Sequence, residues 1–295
     1  MKIDGVFSGG GVKAYAFVGA LESIEEKQLQ LERVAGTSAG AIVASFIAAN
    51  YRFNEINALL NELDLKKFLD PPKLTKIIPF SKWFFLYFQM GINKGDKLES
   101  WLHQQLANKG IYTFSDLEPG YLKVVVSDLS LGKLVVIPDD LKRIYGMDPN
   151  YFPVSKAVRM SAGFPYFFMP KKLPGKLKKS IIVDGGLLSN FPLWVFENGY
   201  KRDRPILGVK LSGKVEKQNQ PRDIKNALDM FHALFSTMKL AHDARYISTS
   251  HKNNIIFIPV EGVETVNFNI STETKEELIQ SGKESADQFL KHWPK

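Results

Sequence analysis

No cysteine occurs anywhere in the 295-residue chain. That excludes a disulfide framework, a thiolate metal site and a cysteine nucleophile, and it fits a reducing compartment. Histidine is scarce as well, with five in all, so chemistry built on imidazole has few candidates. Long apolar runs are also missing. The longest, Trp83-Phe84-Phe85-Leu86-Tyr87-Phe88, falls far short of the roughly 20 residues a spanning helix needs. The first residues, Met1-Lys2-Ile3-Asp4-Gly5-Val6-Phe7, read as a strand and not as a secretory leader. The expectation is therefore a cytoplasmic protein, with peripheral membrane association as its route to any lipid.

What is present describes a folded globular chain. Hydrophobic residues make up 44% and charged residues 24%, so a sizeable core is expected and disorder is not. The net charge of +8 favours a polyanionic partner. Nucleic acid or an anionic lipid surface would answer to that charge, with plain solubility as the alternative.

The chain reads as strand–loop–helix twice within its first 50 residues. Strand Lys2–Phe7 runs into Ser8-Gly9-Gly10-Gly11, and residues 12–28 carry a helical apolar stripe through Val12, Ala16, Ala20 and Ile24. A strand near Glu32–Ala35 then turns at Gly36-Thr37-Ser38-Ala39-Gly40 into an apolar helix over 41–48. This alternation predicts a mostly parallel sheet covered by helices, a three-layer α/β sandwich. Further along, Tyr121–Ser127 and Lys133–Ile137 read as a hairpin, 154–163 as a helix, and Lys171–Lys179 as a basic loop. Ile181-Ile182-Val183, Ile206–Leu211 and Ile255–Val260 read as buried strands. Residues 273–292 read as a terminal helix with Thr274 and Glu277 as its capping box. No repeat or linker divides the chain, so one domain over 1–295 is expected, with its motifs in 3–211 and strands and a helix in 212–295.

Three motifs carry chemistry. Gly-x-Ser-x-Gly at a strand-to-helix junction permits a tight turn that pushes the Ser38 hydroxyl outward, at the positive end of the helix that follows. An inert βα turn reads the same way. The run Gly9-Gly10-Gly11 can present several backbone N–H groups to one anion, a phosphate or a tetrahedral oxyanion. A dinucleotide loop also fits Gly9-x-Gly11, but strand two ends without the acid that would hold a ribose, and no Walker Lys-Ser/Thr follows. The third motif, Asp184-Gly185-Gly186, ends a buried strand. Ligands of open α/β sheets collect at the carboxyl ends of strands, so the three motifs can converge there. A triad in the order Ser, Asp, His would draw on His232, His242, His251 or His292, none of which sits in a telling context.

Together, Gly9-Gly10-Gly11-Val12-Lys13, Gly36-Thr37-Ser38-Ala39-Gly40 and Asp184-Gly185-Gly186 resemble the three signature blocks of patatin-like phospholipases. Ser161-Ala162-Gly163-Phe164-Pro165, with Phe168-Met169-Pro170, resembles the family's segment ahead of the aspartate strand. The resemblance implies a patatin-like fold and hydrolysis of acyl esters of phospholipids or related glycerolipids, with an anionic lipid surface and not nucleic acid as the partner, and with neither metal nor cofactor. It makes Ser38 the nucleophile and Asp184 the general base of a dyad without histidine. The oxyanion donors it implies are the backbone of Gly9, Gly10 and Gly11 with the amide of Ala39. Lys13, where the family often has Arg, is expected to meet the substrate as a single point charge. Membrane access would fall to the aromatic run 77–88 and to the basic loop of Lys171, Lys172, Lys176, Lys178 and Lys179. Two other readings stay open: a non-catalytic anionic-lipid-binding module, and a nucleotide-binding α/β enzyme.

Overall fold

A computed structural model describes residues 1–72, 81–175, 178–197, 204–212, 224–226, 229–230, 233–238, 241, 243, 252–260, 263 and 269–294, with the side chains of 81–84 and 252 excepted. His232, His242 and His251, the lysines at 73, 76 and 176, and the side chains of 77–84 lie outside these residues. Among the described residues, no helix is long and apolar enough to cross a membrane.

The expected α/β alternation is present. Strand β1 (Lys2–Phe7) leads through a short 3-10 turn, Gly11–Ala14, into α1 (Tyr15–Glu26). Strand β2 (Gln30–Thr37) then enters α2 (Ala39–Ala48), followed by α3 (Phe53–Asn61). Helix α4 (Ser81–Gln89), strand β3 (Gly91–Asn93) and α5 (Asp96–Ala107) precede the hairpin β4 (Leu122–Asp128) and β5 (Lys133–Ile137). Helix α6 (Val154–Ser161) is followed by three strands, β6 (Tyr166–Phe168), β7 (Lys171–Leu173) and β8 (Ser180–Asp184). Strands β9 (Ile206–Ser212) and β10 (Ile255–Pro259) and helix α7 (Thr272–Leu290) complete the order.

Among the described residues, eight strands form one sheet in the order β10-β9-β1-β2-β4-β8-β7, with β5 paired to the other edge of β4. The pairs among β10, β9, β1, β2 and β4 are parallel, as buried βαβ units require. Strands β5, β7 and β8 join antiparallel. Side chains alternate across the sheet with the period of two that strands impose. Ile3 and Phe7 of β1, Val34 of β2 and Leu207 and Val209 of β9 belong to the large core that includes α1, α2 and α7, where Phe7 meets Phe17 edge-on. Val6, Ala35, Ile206 and Ile255 face the other way, into a smaller cluster with Phe191, Leu193 and Phe196.

Two expectations are revised. Part of the expected basic loop is strand: Lys171–Leu173 pairs with β8, because the alternation of Leu173 inward and Lys172 outward suits an edge despite the lysines. The terminal helix is capped one turn earlier than expected. Ser271 is the N-cap and accepts the Thr274 N–H at 3.2 Å, so Thr274 lies inside the first turn.

Helices α1 and α7 touch backbone to backbone. A Cβ on Gly282 would lie 1.9 Å from the Ala16 carbonyl oxygen, and one on Gly19 would lie 1.9 Å from that of Ile279. Gly282→Ala must therefore push the helices apart. It is expected to cost about 1–3 kcal/mol, read as a lower midpoint in urea unfolding; an unchanged midpoint would show that the helices do not approach this closely.

Candidate active site

Pairing along one edge of β4 brings the site together. Strand β2 runs parallel to β4 through Val34↔Leu122 to Thr37↔Val125, and then stops. Strand β8 takes up the same edge from the opposite direction, from Asp128↔Ile182 to Val126↔Asp184. The carboxyl ends of the two strands therefore meet head to head, one β4 residue apart. Ser38 follows one and Asp184 ends the other. The sequence suggested a shared carboxyl edge; the actual convergence depends on β8 running antiparallel.

At that junction Ser38 Oγ donates to Asp184 Oδ2 at 2.7 Å. Ser38 has φ 54° and ψ −124°, a left-handed region that non-glycine residues enter at a cost of about 1–3 kcal/mol. Glycines on both sides make the turn sterically feasible. A Cβ on Gly36 would lie 2.3 Å from the Gly40 carbonyl oxygen, and one on Gly40 would lie 2.4 Å from that of Phe7. Ser38 starts α2, yet its side chain caps no helix amide and is directed to the carboxylate.

Asp184 is buried, and its second oxygen, Oδ1, accepts the Gly186 N–H at 2.7 Å. Its own N–H donates to the Gly163 carbonyl at 3.0 Å. Gly185 is a close-approach position, where a Cβ would sit 2.2 Å from the Val125 carbonyl oxygen.

The residues after Asp184 tie the other two motifs to it. Thr37 Oγ1 donates to the Ser189 carbonyl at 3.1 Å, and the Gly9 N–H donates to the Asn190 carbonyl at 2.9 Å. A Cβ on Gly9 would meet Asn190 Oδ1 at 2.5 Å and Ser38 Cβ at 3.2 Å. The Gly9 amide is thus already engaged, contrary to its expected part as an oxyanion donor, and its glycine is needed for closeness. The N–H groups of Gly10, Gly11 and Ala39 have no acceptor among the described residues. Lys13 is half-buried on the same loop but does not line the cavity beside Ser38. It has no ion-pair partner among the described residues, and burial lowers its pKa.

Ser38, Asp184, Gly11 and Ala39 line one cavity of about 120 Å³, whose remaining walls are apolar, including Tyr15, Ile42, Trp101, Phe164 and Phe168. Among the described residues no histidine lines it.

Two polar residues whose roles the sequence does not reveal hold this arrangement. Ser161, fully buried at the end of α6, accepts the Ser38 N–H at 2.9 Å and donates to the Val125 carbonyl at 2.6 Å. Two residues of the same segment thus secure both partners, Ser161 holding Ser38 and Gly163 holding Asp184. Arg159, also fully buried, donates to the carbonyls of Gly95 (2.9 Å), Lys94 (2.8 Å) and Met169 (3.1 Å) and lies over the Phe168 ring. Its desolvation lowers the guanidinium pKa to about 10. Its only sequence signal is an arginine on the apolar face of a short helix.

The chain belongs to the patatin-like phospholipase family, whose model matches residues 5–197. Membership implies a lipid hydrolase. An uncharacterised Bacillus subtilis (strain 168) protein, YqhO, is 47% identical over 293 residues, covering 99% of each chain. Protein R571 of Acanthamoeba polyphaga mimivirus is 26% identical over 295 residues, covering 96% of this chain and 92% of that one. Among solved structures, VipD from Legionella pneumophila superposes with a TM-score of 0.57 at 20% identity. ExoU, in its complex with SpcU from Pseudomonas aeruginosa, does so at 0.52 and 19%. The chain is covered to 98% in both but spans only 66% of VipD and 51% of ExoU. The shared feature is the mostly parallel, helix-flanked sheet.

Ser161→Ala removes the acceptor of a buried N–H and the donor of a buried carbonyl together. It is expected to cost about 1–3 kcal/mol in urea unfolding, and an unaltered midpoint would sink the positioning role given to it.

Proposed function

We propose that this protein is a serine lipid acyl hydrolase acting on phospholipid or related glycerolipid carboxylic esters through a Ser38–Asp184 dyad. The observation that carries the reading is the 2.7 Å hydrogen bond from Ser38 Oγ to Asp184 Oδ2 at the wall of an apolar cavity. A carboxylate within hydrogen-bond reach of a hydroxyl meets the geometric condition for a general base.

In this mechanism the acyl chain lies along the apolar walls with its ester carbonyl at Ser38. As Ser38 Oγ attacks the carbonyl carbon, its proton passes to Asp184 Oδ2. Asp184 Oδ1 stays on the Gly186 amide, so the carboxylate keeps one orientation throughout. The oxyanion takes hydrogen bonds from the N–H groups of Gly10, Gly11 and Ala39, and the N-terminal end of α2 adds its dipole. Collapse breaks the ester C–O bond, and the departing alcohol takes the proton from Asp184. A water molecule then gives its proton to Asp184 and attacks the acyl-enzyme; the fatty acid leaves and Ser38 recovers its proton. The apolar lining favours acyl chains over a nucleotide, which would want polar walls for its ribose and phosphates.

Asp184→Asn keeps the shape of the side chain and removes the base. It is expected to lower kcat on a glycerolipid ester by about 10²–10⁴-fold. Ser38→Ala should abolish both hydrolysis and covalent labelling by a fluorophosphonate, with the wild-type label mapping to the peptide that contains Ser38. Ester hydrolysis retained by Ser38→Ala would overturn the mechanism.

A further inference from the structure

The cavity wall continues outward onto an apolar surface that the dyad chemistry does not use. Phe164, a cavity residue, packs against Phe235 with ring centroids 4.9 Å apart. Residues 233–238 are helical, and Phe235 is buried by this contact. The same segment exposes Leu234 (56%) and Met238 (45%), one helical turn apart, with Met230 (53%) four residues before Leu234. A helix that buries one aromatic on a cavity wall and turns large apolar side chains to water is not folding around a core of its own.

A second group of apolar side chains rises from the same wall. Phe164, Phe167 and Phe168 line the cavity, while Tyr166 between them is 45% exposed. Tyr166 has φ 64°, a left-handed conformation costly for an aromatic residue, and strain of this kind collects at functional sites. Tyr166 pairs with Gly91, one residue beyond the end of α4 at Gln89, and Tyr87 and Phe88 of that helix are 80% and 62% exposed. Large exposed apolar side chains on segments that adjoin one cavity wall exceed the scattered exposure normal for a soluble monomer.

Charge selects the occupant. The chain carries a net charge of +8, and β8 leads outward from the dyad to a groove lined by Lys133, Arg143, Lys178 and Lys179. Ser180, also in its lining, starts β8 four residues before Asp184, which is about 13 Å of strand. Lys133, Lys178 and Lys179 are exposed and have no ion-pair partner among the described residues. An apolar rim beside a basic groove is complementary to a bilayer carrying anionic phospholipid, whose headgroups meet the cations while acyl chains meet the rim.

We propose that the protein docks on an anionic bilayer through Met230, Leu234 and Met238 together with Tyr87, Phe88 and Tyr166. Lys133, Lys178 and Lys179 supply the attraction to headgroups, while Arg143 of the same groove is paired with Asp140. The proposal rests on the lipid-hydrolase reading, since it is the entry of acyl chains into the cavity that makes its rim the contact surface. It adds which surface is seated and which lipid charge is preferred.

The test uses vesicles of phosphatidylcholine alone and of phosphatidylcholine mixed with phosphatidylglycerol. Flotation is measured for the intact Ser38→Ala chain with and without Leu234→Asp/Met238→Asp, so binding is read apart from turnover. The apolar-to-acid pair should lower partition onto mixed vesicles at least about tenfold. In the active chain it should lower vesicle hydrolysis similarly, while hydrolysis of a monomeric soluble ester, p-nitrophenyl butyrate, stays at the parent rate. Lys178→Glu/Lys179→Glu should erase the preference for mixed over neutral vesicles. Equal flotation of parent and Leu234→Asp/Met238→Asp would overturn the proposal. So would a parent that ignores both vesicles, including one that self-associates through the apolar stripe. Flotation of the Ser38→Ala chain, with the wild-type chain cleaving neither substrate, leaves the docking face standing and removes the hydrolase reading instead.

Discussion

The hydrogen bond between Ser38 and Asp184 depends on β4 pairing with two strands in succession along one edge. Neither partner reaches the other by local sequence. β2 brings Ser38 in from below, β8 brings Asp184 in from above, and the β4 register at Val125 and Val126 sets the gap. Everything else near the site keeps that gap closed. Ser161 fastens the strained serine to the carbonyl of Val125, and Gly185 lets the aspartate strand pass over the same carbonyl.

Polar connections here run between backbone and side chain more than between side chains. Ser161, Thr37 and Asp184 each satisfy a buried peptide group, as buried amides require. The stretch from Asp184 to Asn190 holds the carboxylate, the elbow strand and the glycine loop at once, so these three are ordered together. The residues from Gly11 to Tyr15 and the start of α2 serve the chemistry and the cavity wall together, while α5 and the residues from Phe164 to Phe168 add apolar wall alone.

How much of this was legible in the sequence follows from the physics of each residue. Glycine was informative because it occurs where backbones approach too closely for a side chain: Gly9, Gly36, Gly40 and Gly185 all mark such contacts. Continuous apolar runs mark β8, β9 and β10 because both faces of the sheet are covered. Strand direction left no such mark. A buried antiparallel strand such as β8 reads like a parallel one, so the way Asp184 arrives could not be seen. Ser161 and Asn190 were obscure for a related reason, since one serine or asparagine looks alike whether it faces water or a distant peptide group. β7 reads as loop because its lysines outweigh its single inward leucine, although at an edge the outward Lys172 costs little and Lys171 pairs with Asp96 and Glu99.

The head-to-head meeting of β2 and β8 has a bearing on how such a chain can vary. Ser38 and Asp184 are separated by 146 positions, yet their distance is set by two adjacent residues of β4. The chain between them can lengthen, shorten or rebuild its helices, provided β4 keeps its register and Ser161 and Gly163 their places. Pocket size and rim can thus be retailored in that interval while the reacting pair stays fixed, like a hinge pin that is indifferent to the width of the door.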